Sequence, residues 1–264
     1  MPLKVDDVTK KVLATANGKA VDKALGTATA KKLVEMILNV QLKPQMGGTD
    51  EKAAVTGADT ILGLELKIIA DAGKTVTRLM TEMGGAKLAP QIAGNKMDET
   101  KYSAATTDAN ALKAAKWICS ASNSDKKNLG TVAPQLAKIL EESAKKSTIN
   151  SYQHVVMLNK VLVPKPSADV RGVATMGGKL PSSVTGARLL EIAMETLSKK
   201  TPGAAGCAWE DLACHLLGTT LRTHGFPDGN GRTARALYAL AFLKGNKPFV
   251  AIERKLEDKL SDLG

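Results

Sequence analysis

His224-Gly225-Phe226-Pro227-Asp228-Gly229-Asn230-Gly231-Arg232-Thr233-Ala234-Arg235 separates two stretches of helical periodicity, and its reading decides the fold. Before it, Trp209 to Thr223 places Leu212, His215, Leu216 and Thr219 on one face. After it, Thr233 to Lys244 carries Ala236, Leu237, Leu240, Ala241 and Leu243, an apolar pattern that predicts a central buried helix. Gly229, Asn230 and Gly231 make the turn between the two helices. Glycine permits positive φ and leaves backbone N–H groups uncovered. At a helix N-terminus such a turn aims N–H donors outward with the helix dipole behind them, which suits an anion. Arg232 and Arg235, spaced i, i+3, share a face, and each can grip a phosphate. Asp228 is the acid beside this cradle, and a carboxylate next to phosphates suits Mg²⁺. His224 titrates near neutrality, as a general base should. The set predicts phosphoryl or nucleotidyl transfer.

Two other phosphate-binding motifs are excluded. Gly229-x-Gly231-x-x-Ala234 has dinucleotide-fingerprint spacing, but that fingerprint follows a strand, and here a helical stretch precedes it. Gly178-Lys179 is not a P-loop, because Val173 and Leu180 occupy the positions a P-loop reserves for Gly and Ser or Thr.

Outward from the segment, most of the chain reads as helix. Ala30 to Val40 places Leu33, Met36, Ile37 and Val40 on one stripe. Asp59 to Met83 ends at Gly84-Gly85, and Asp108 can cap a helix holding Leu112, Ala115 and Ile118. Thr131 to Lys146 follows, with Pro134 in its first turn, then Ser151 to Leu162, ended by Pro164 and Pro166. Ser167 to Ser183 changes texture and reads as a short hairpin through Val170-Arg171-Gly172-Val173 and Leu180-Pro181. Val184 to Lys200 is amphipathic helix again. The composition shifts near Ser147 to Asn150, which sets the expected boundary.

The chain has 264 residues, 44% of them hydrophobic and only 3% aromatic, so aliphatic side chains and Ala must fill the core. The formal net charge of +11 attracts polyanions or serves solubility. Its lysine runs are too short for a nucleic-acid arm. No apolar stretch is long enough to span a membrane, and the N-terminus lacks the apolar core of a Sec signal. Cys119, Cys207 and Cys214 form no disulfide framework, and Cys207, Cys214 and His215 lack zinc spacing. His154, His215, Trp117 and Trp209 read as packing residues. Arg171 is equally suited to a target or to solvent.

The segment is similar to the Fic-family signature HxFx[D/E]GNGRxxR and meets it at every specified position, with Gly225 where Pro is common. The resemblance covers about Ser151 to Val250. It implies an all-α fold, a Fic helical core with a small β-hairpin flap, to which this chain adds an N-terminal helical extension. Residues 1–147 would serve targeting or substrate recognition and 148–264 the chemistry. The implied reaction moves AMP from ATP to a Ser, Thr or Tyr hydroxyl of a protein. His224 would be the base, Phe226 a buried anchor and Asp228 the Mg²⁺ ligand. Gly229, Asn230 and Gly231 would form the anion hole, and Arg232 and Arg235 would contact phosphates. Val170, Arg171, Gly172 and Val173 would lie in the flap that holds the target by strand addition.

The family's inhibitory [S/T]xxxE[G/N] pattern has no match in this chain. The enzyme is therefore either unrestrained or restrained by a separate inhibitor protein. The phrase from Gly225 to Arg232, with a helical N-terminal extension, resembles secreted bacterial effectors that modify Rho-type GTPases. That implies a bacterial cytoplasmic origin, export into a host cell, and neither a nucleic-acid partner nor a membrane span. Two alternatives stay open. One is the same fold with UTP, GTP or CDP-choline as donor. The other is a basic binding module, for nucleic acid or acidic lipid, whose motif is idle.

Overall fold

A computed structural model describes residues 2–98, 109–121, 129–146, 148–164, 170–174, 178–200 and 207–264. The described chain is almost wholly helical. It runs α1 (Val5–Leu13), α2 (Ala16–Leu25), α3 (Thr27–Met36) and a π-helical turn (Ile37–Gln41), then α4 (Lys43–Met46), α5 (Glu51–Gly84) and α6 (Ala89–Ala93). It continues with α7 (Ala109–Ser120), α8 (Leu129–Ala144), α9 (Tyr152–Leu162), α10 (Ser183–Ser198), α11 (Trp209–Thr223), α12 (Asn230–Lys244) and α13 (Arg254–Ser261). Among the described residues the sole β pairing outside helices is an isolated bridge between Lys96 and Ile252. In the expected hairpin, Val170–Ala174 and Gly178–Leu180 form no strand, and residues 167–169 and 175–177 lie outside the described residues. No described helix is long and apolar enough to cross a membrane.

The described residues form two compact units. The first takes Met1–Lys74, Ser167–Leu190 and Thr223–Pro227, and the second takes Thr75–Pro166, Glu191–Arg222 and Asp228–Gly264. Both units therefore draw on residues from either side of position 147.

In the first unit, α1, α2 and α3 bury Val8, Val12, Val21, Leu25, Leu33 and Val34 against Ala54, Ala58 and Leu62 of α5. Two of these helix starts have a side-chain cap. Thr15 caps α2 by accepting from the Gly18 amide at 3.0 Å, and Asp50 caps α5 by accepting from Ala53 at 2.9 Å. The expected stripe from Leu33 to Val40 fails at its last member. Leu33, Met36 and Ile37 are buried, but Val40 is 56% exposed, and Leu38 is buried instead. The π-helical turn adds a residue to the helical circuit there, which rotates the following side chains out of phase.

The second unit is built around α12. Every residue from Thr233 to Phe242 is buried. The chain has two Trp, three Tyr and three Phe. Four of these rings pack beside α12: Trp117, Tyr238, Phe242 and Phe249, with centroids 5.0 to 6.1 Å apart. Their polar handles are satisfied, since Trp117 Nε1 donates to the Ile252 carbonyl at 3.2 Å and the Tyr238 hydroxyl to the Val250 carbonyl at 3.0 Å. α8 starts at Leu129, two residues earlier than its pattern suggests, so Pro134 lies inside the helix and not in its first turn. Asp108, the expected cap of α7, lies outside the described residues.

On α11, Asp211 accepts from the amides of Leu88 and Ala89 and so caps α6. His215, one turn further on, is fully buried, and its Nδ1 lies 3.1 Å from the Thr219 hydroxyl. Burial pushes its pKa down to about 4. The unfolded chain therefore takes up this proton first on acidification. Stability should fall as pH drops from about 6.5 toward 4, by on the order of 3 kcal/mol from this group. Urea unfolding of the wild type and of His215→Gln across that range checks this: the variant should show a shallower acid slope.

Candidate active site

The turn that starts α12 is set by packing within the second unit. Gly229 sits at φ 73°, ψ 15°, the left-handed conformation, and precedes the first helical residue, Asn230. A Cβ at 229 would lie 2.2 Å from Val163 Cγ2, so any other residue would be strained in conformation and would collide with α9's end. Its carbonyl accepts the first helical bond, from Thr233 N at 2.8 Å, while its own amide donates to Asp228 Oδ1 at 2.6 Å. α9 braces the turn from beneath. The buried Asn159 amide donates to the Asp228 carbonyl at 3.1 Å and to the Thr233 hydroxyl at 2.9 Å. α12 thus starts at Asn230, three residues before its apolar pattern suggests, with the positive end of its dipole at Asn230 and Gly231.

Both arginines are anchored by protein groups. Arg232 Nη1 donates to the Leu162 carbonyl at 2.7 Å, which satisfies the C-terminal end of α9. Arg235 is buried and makes a bidentate pair with Glu257 of α13: Nε to Oε1 at 2.8 Å and Nη2 to Oε2 at 2.7 Å. Glu257 is 2% exposed and also faces Arg254 Nη1 at 3.3 Å. The remaining Arg235 nitrogen, Nη1, lies 3.2 Å from where a Cβ of residue 231 would be, so Gly231 gives it room along the first turn of α12. No inhibitory pattern is found in the sequence, yet Arg235 has a carboxylate partner, in the run Glu253-Arg254-Lys255-Leu256-Glu257-Asp258.

His224, Gly225, Phe226 and Pro227 belong to the first unit. His224 is half-buried with φ 49°, a left-handed conformation that costs a non-glycine residue roughly 1 to 2 kcal/mol. The loop lies flat on α10. A Cβ at Gly186 would stand 2.3 Å from the Thr223 carbonyl oxygen, and one at Gly225 would stand 2.9 Å from Leu190 Cδ2 and 3.0 Å from the Gly186 carbonyl oxygen. This close approach accounts for Gly where the family signature commonly has Pro. Phe226 is 7% exposed.

The expected flap residues divide. Val170 is 50% exposed, but Val173 is 2% exposed and packs with the first unit's core. Gln41 reads Val173 as a strand partner would, donating to its carbonyl at 3.1 Å and accepting from its amide at 3.0 Å, so both backbone groups are in use. Gly172 is pressed against the same side chain, with a hypothetical Cβ 3.0 Å from Gln41 Cδ. Arg171 points inward. Its Nε donates to the Pro181 carbonyl at 2.8 Å and its Nη2 to the His224 carbonyl at 2.6 Å.

Asp228 is exposed at the rim of the turn. No three His, Cys, Asp or Glu side chains cluster as a metal cage among the described residues. A single exposed carboxylate beside a helix N-terminus fits Mg²⁺, which takes most of its ligands from water and phosphate oxygens. His154 is buried and its pKa is lowered by desolvation first and then by Lys146 and Lys244. Trp117 is buried, Cys119 and Cys214 are buried thiols in no disulfide, and Cys207 is a half-buried one. Sequence reasoning missed Asn159, Glu257 and Glu65, since each acts from a distant helix on a backbone group or an arginine.

Two substitutions test this arrangement. Gly229→Ala should lose about 2 kcal/mol or more, because it combines left-handed strain with overpacking on Val163. Glu257→Gln removes the charge opposite buried Arg235 and should lose roughly 3 kcal/mol. Both are read from urea midpoints at unchanged m-value.

Three comparisons find proteins similar to this chain. Residues 149–242 match the Fic/DOC family. The chain is 28% identical over 260 residues to protein adenylyltransferase VopS of Vibrio parahaemolyticus serotype O3:K6, a match that spans 96% of this chain and 62% of that protein. A crystal structure of VopS, described as a Fic domain containing AMPylator, superposes with a TM-score of 0.78 at 26% identity over 97% of this chain and 82% of that one. The all-α fold expected from the sequence is the fold observed, and residues 149–242 are similar to the Fic/DOC family.

Proposed function

We propose that the chain transfers AMP from ATP to a hydroxyl group of a protein. One observation carries this reading: the left-handed Gly229 opens α12 beside an exposed Asp228 carboxylate and two arginines, an arrangement whose chemistry suits a nucleotide's phosphates. The relatives' names, which denote adenylyl transfer, support it.

In this reading the target hydroxyl oxygen attacks the α-phosphorus, a bond to AMP forms, the bond to the β-phosphate oxygen breaks, and pyrophosphate leaves. His224 takes the hydroxyl proton. Gly229, Asn230 and Gly231 receive the charge on the α-phosphate at the helix N-terminus, where the dipole favours it. Arg232 contacts the phosphates, and Arg235 offers them Nη1, the nitrogen outside its pair with Glu257. Mg²⁺ held by Asp228 would neutralise the α- and β-phosphates. Exposed Val170 is the flap residue offered to the target.

The acceptor is a Ser, Thr or Tyr of a host protein, a Rho-type GTPase first, which the chain meets after export from a bacterium. Residues 1–147 contribute to recognising it, and residues 148–264 carry the chemistry.

The test is incubation of wild type and His224→Ala with Mg-ATP labelled at the α-phosphate, small GTPases and a cell lysate. Wild type alone should label a protein, and His224→Ala should lose at least about a hundredfold in rate, the range for a missing general base. Label transferred from UTP, GTP or CDP-choline but not from ATP would keep the fold and change the donor. No label from any donor, with steeply salt-dependent binding to DNA or anionic vesicles, would favour the basic binding module.

A further inference from the structure

Glu65 lies in the middle of α5, wholly buried, in a part of the chain whose sequence gives no hint of chemistry. Its Oε1 accepts from the Ser182 amide at 2.9 Å, at the residue before α10. Ser182 Oγ in turn donates to Thr185 Oγ1 at 3.1 Å. Burial is the main influence on this group and raises its pKa, and the Arg171 charge opposes that rise. Burial likewise lowers Arg171, and the Glu65 charge opposes it. The two residues are thus a desolvated pair of opposite charges within one unit.

The arginine of this pair faces a carbonyl that decides an angle. Arg171 is held at three points: its own carbonyl accepts from the Ser183 amide at 2.9 Å, its Nε grips Pro181, and its Nη2 grips the carbonyl of His224 at 2.6 Å. On the other side of the same peptide run, the Thr223 carbonyl faces Gly186, with no room for a methyl group. His224 is therefore fixed at both its neighbours' peptide planes, and its φ of 49° is imposed by them. The direction of the imidazole follows from that backbone angle, since Cβ leaves the same Cα. A left-handed non-glycine residue persists only where its surroundings over-determine it.

We propose that Arg171 and Glu65 are positioning residues for His224: Arg171 clamps the His224 carbonyl in the left-handed loop, and Glu65, from α5, holds the Ser182 turn against which the clamp is built and sets its charge opposite Arg171. This rests on the reading of His224 as the base. It turns the flap arginine from a target contact into part of the loop's frame. It also makes an N-terminal helix a contributor to the base's orientation.

The chain has three histidines, which makes the test direct. In histidine-labelled full-length protein, His154 and His215 are buried reference signals. Arg171→Lys keeps the charge but cannot span two carbonyls, and Glu65→Gln keeps the shape but removes the charge. In both variants the His224 ring signal should move or broaden while the two references stay. In labelled-ATP assays, kcat should fall, about a hundredfold for Arg171→Lys, at unchanged KM for ATP. A His224 signal unchanged in both variants, or a loss confined to KM, would overturn the proposal. A wild type that transfers nothing while its His224 signal still responds to Arg171→Lys would refute the transferase reading and leave the clamp standing.

Discussion

Helix α12 can begin at Asn230 only because residue 229 has no side chain. Val163 Cγ2 stands 2.2 Å from where a Cβ would be, and φ of 73° turns the chain from an exposed Asp228 into a helix buried on every side from Thr233 to Phe242. The consequences run in both directions along the chain. Toward the C-terminus, the aromatic rings around Tyr238 and Phe242 can pack only if the helix enters at that height and angle. Toward the N-terminus, the same turn leaves the Asp228 carbonyl for Asn159 and the Leu162 carbonyl for Arg232, so the end of α9 and the start of α12 satisfy one another. A helix buried on all sides has only its end to offer a charged ligand, and here that end is the positive one.

Charge is placed in the interior sparingly. The surplus of +11 is spread over surface lysines, whereas two arginines stand opposite buried carboxylates: Arg235 with Glu257 in one unit, Arg171 with Glu65 in the other. Such pairs add little net stability, because desolvation offsets most of their attraction. What they supply is direction. A guanidinium holding two carbonyls, or a carboxylate held by two nitrogens, tolerates little displacement, and a site that must align several groups gains from that stiffness.

Local pattern made part of this legible. The limits of α11 and nearly those of α9 and α10 follow from apolar periodicity, and the turn at Gly229 follows from its glycines. Periodicity failed where the backbone left the regular helix: the π-helical turn moved Val40 into solvent, and α12 began three residues before its apolar stripe because its first turn serves the loop. Helices α1, α2 and α13 are short, at 9, 10 and 8 residues, so each offers only two or three turns of pattern. Within the site, the residues of the motif were visible and their supports were not. Asn159 is one polar residue in an apolar helix, Glu257 one acid in a charged run, and Glu65 one of several acids on α5. Nothing local marks them, because what singles them out is a partner far away in sequence.

The supports of His224 change how the first third of the chain should be regarded. Gln41 occupies the backbone of Val173, Glu65 fixes the Ser182 turn, and Arg188 donates to the Leu25 carbonyl at 3.1 Å. All three contacts lie inside the unit that contains His224. A role for residues 1–147 in recognising a target, as proposed, would therefore be added to a structural role they already have. A chain beginning at residue 148 would keep the whole signature yet lose Gln41, Leu25 and Glu65. The loop of His224 would then have to hold a left-handed backbone with Arg171 as its remaining clamp, and Arg171 itself would have lost the carboxylate that keeps its charge in a buried place.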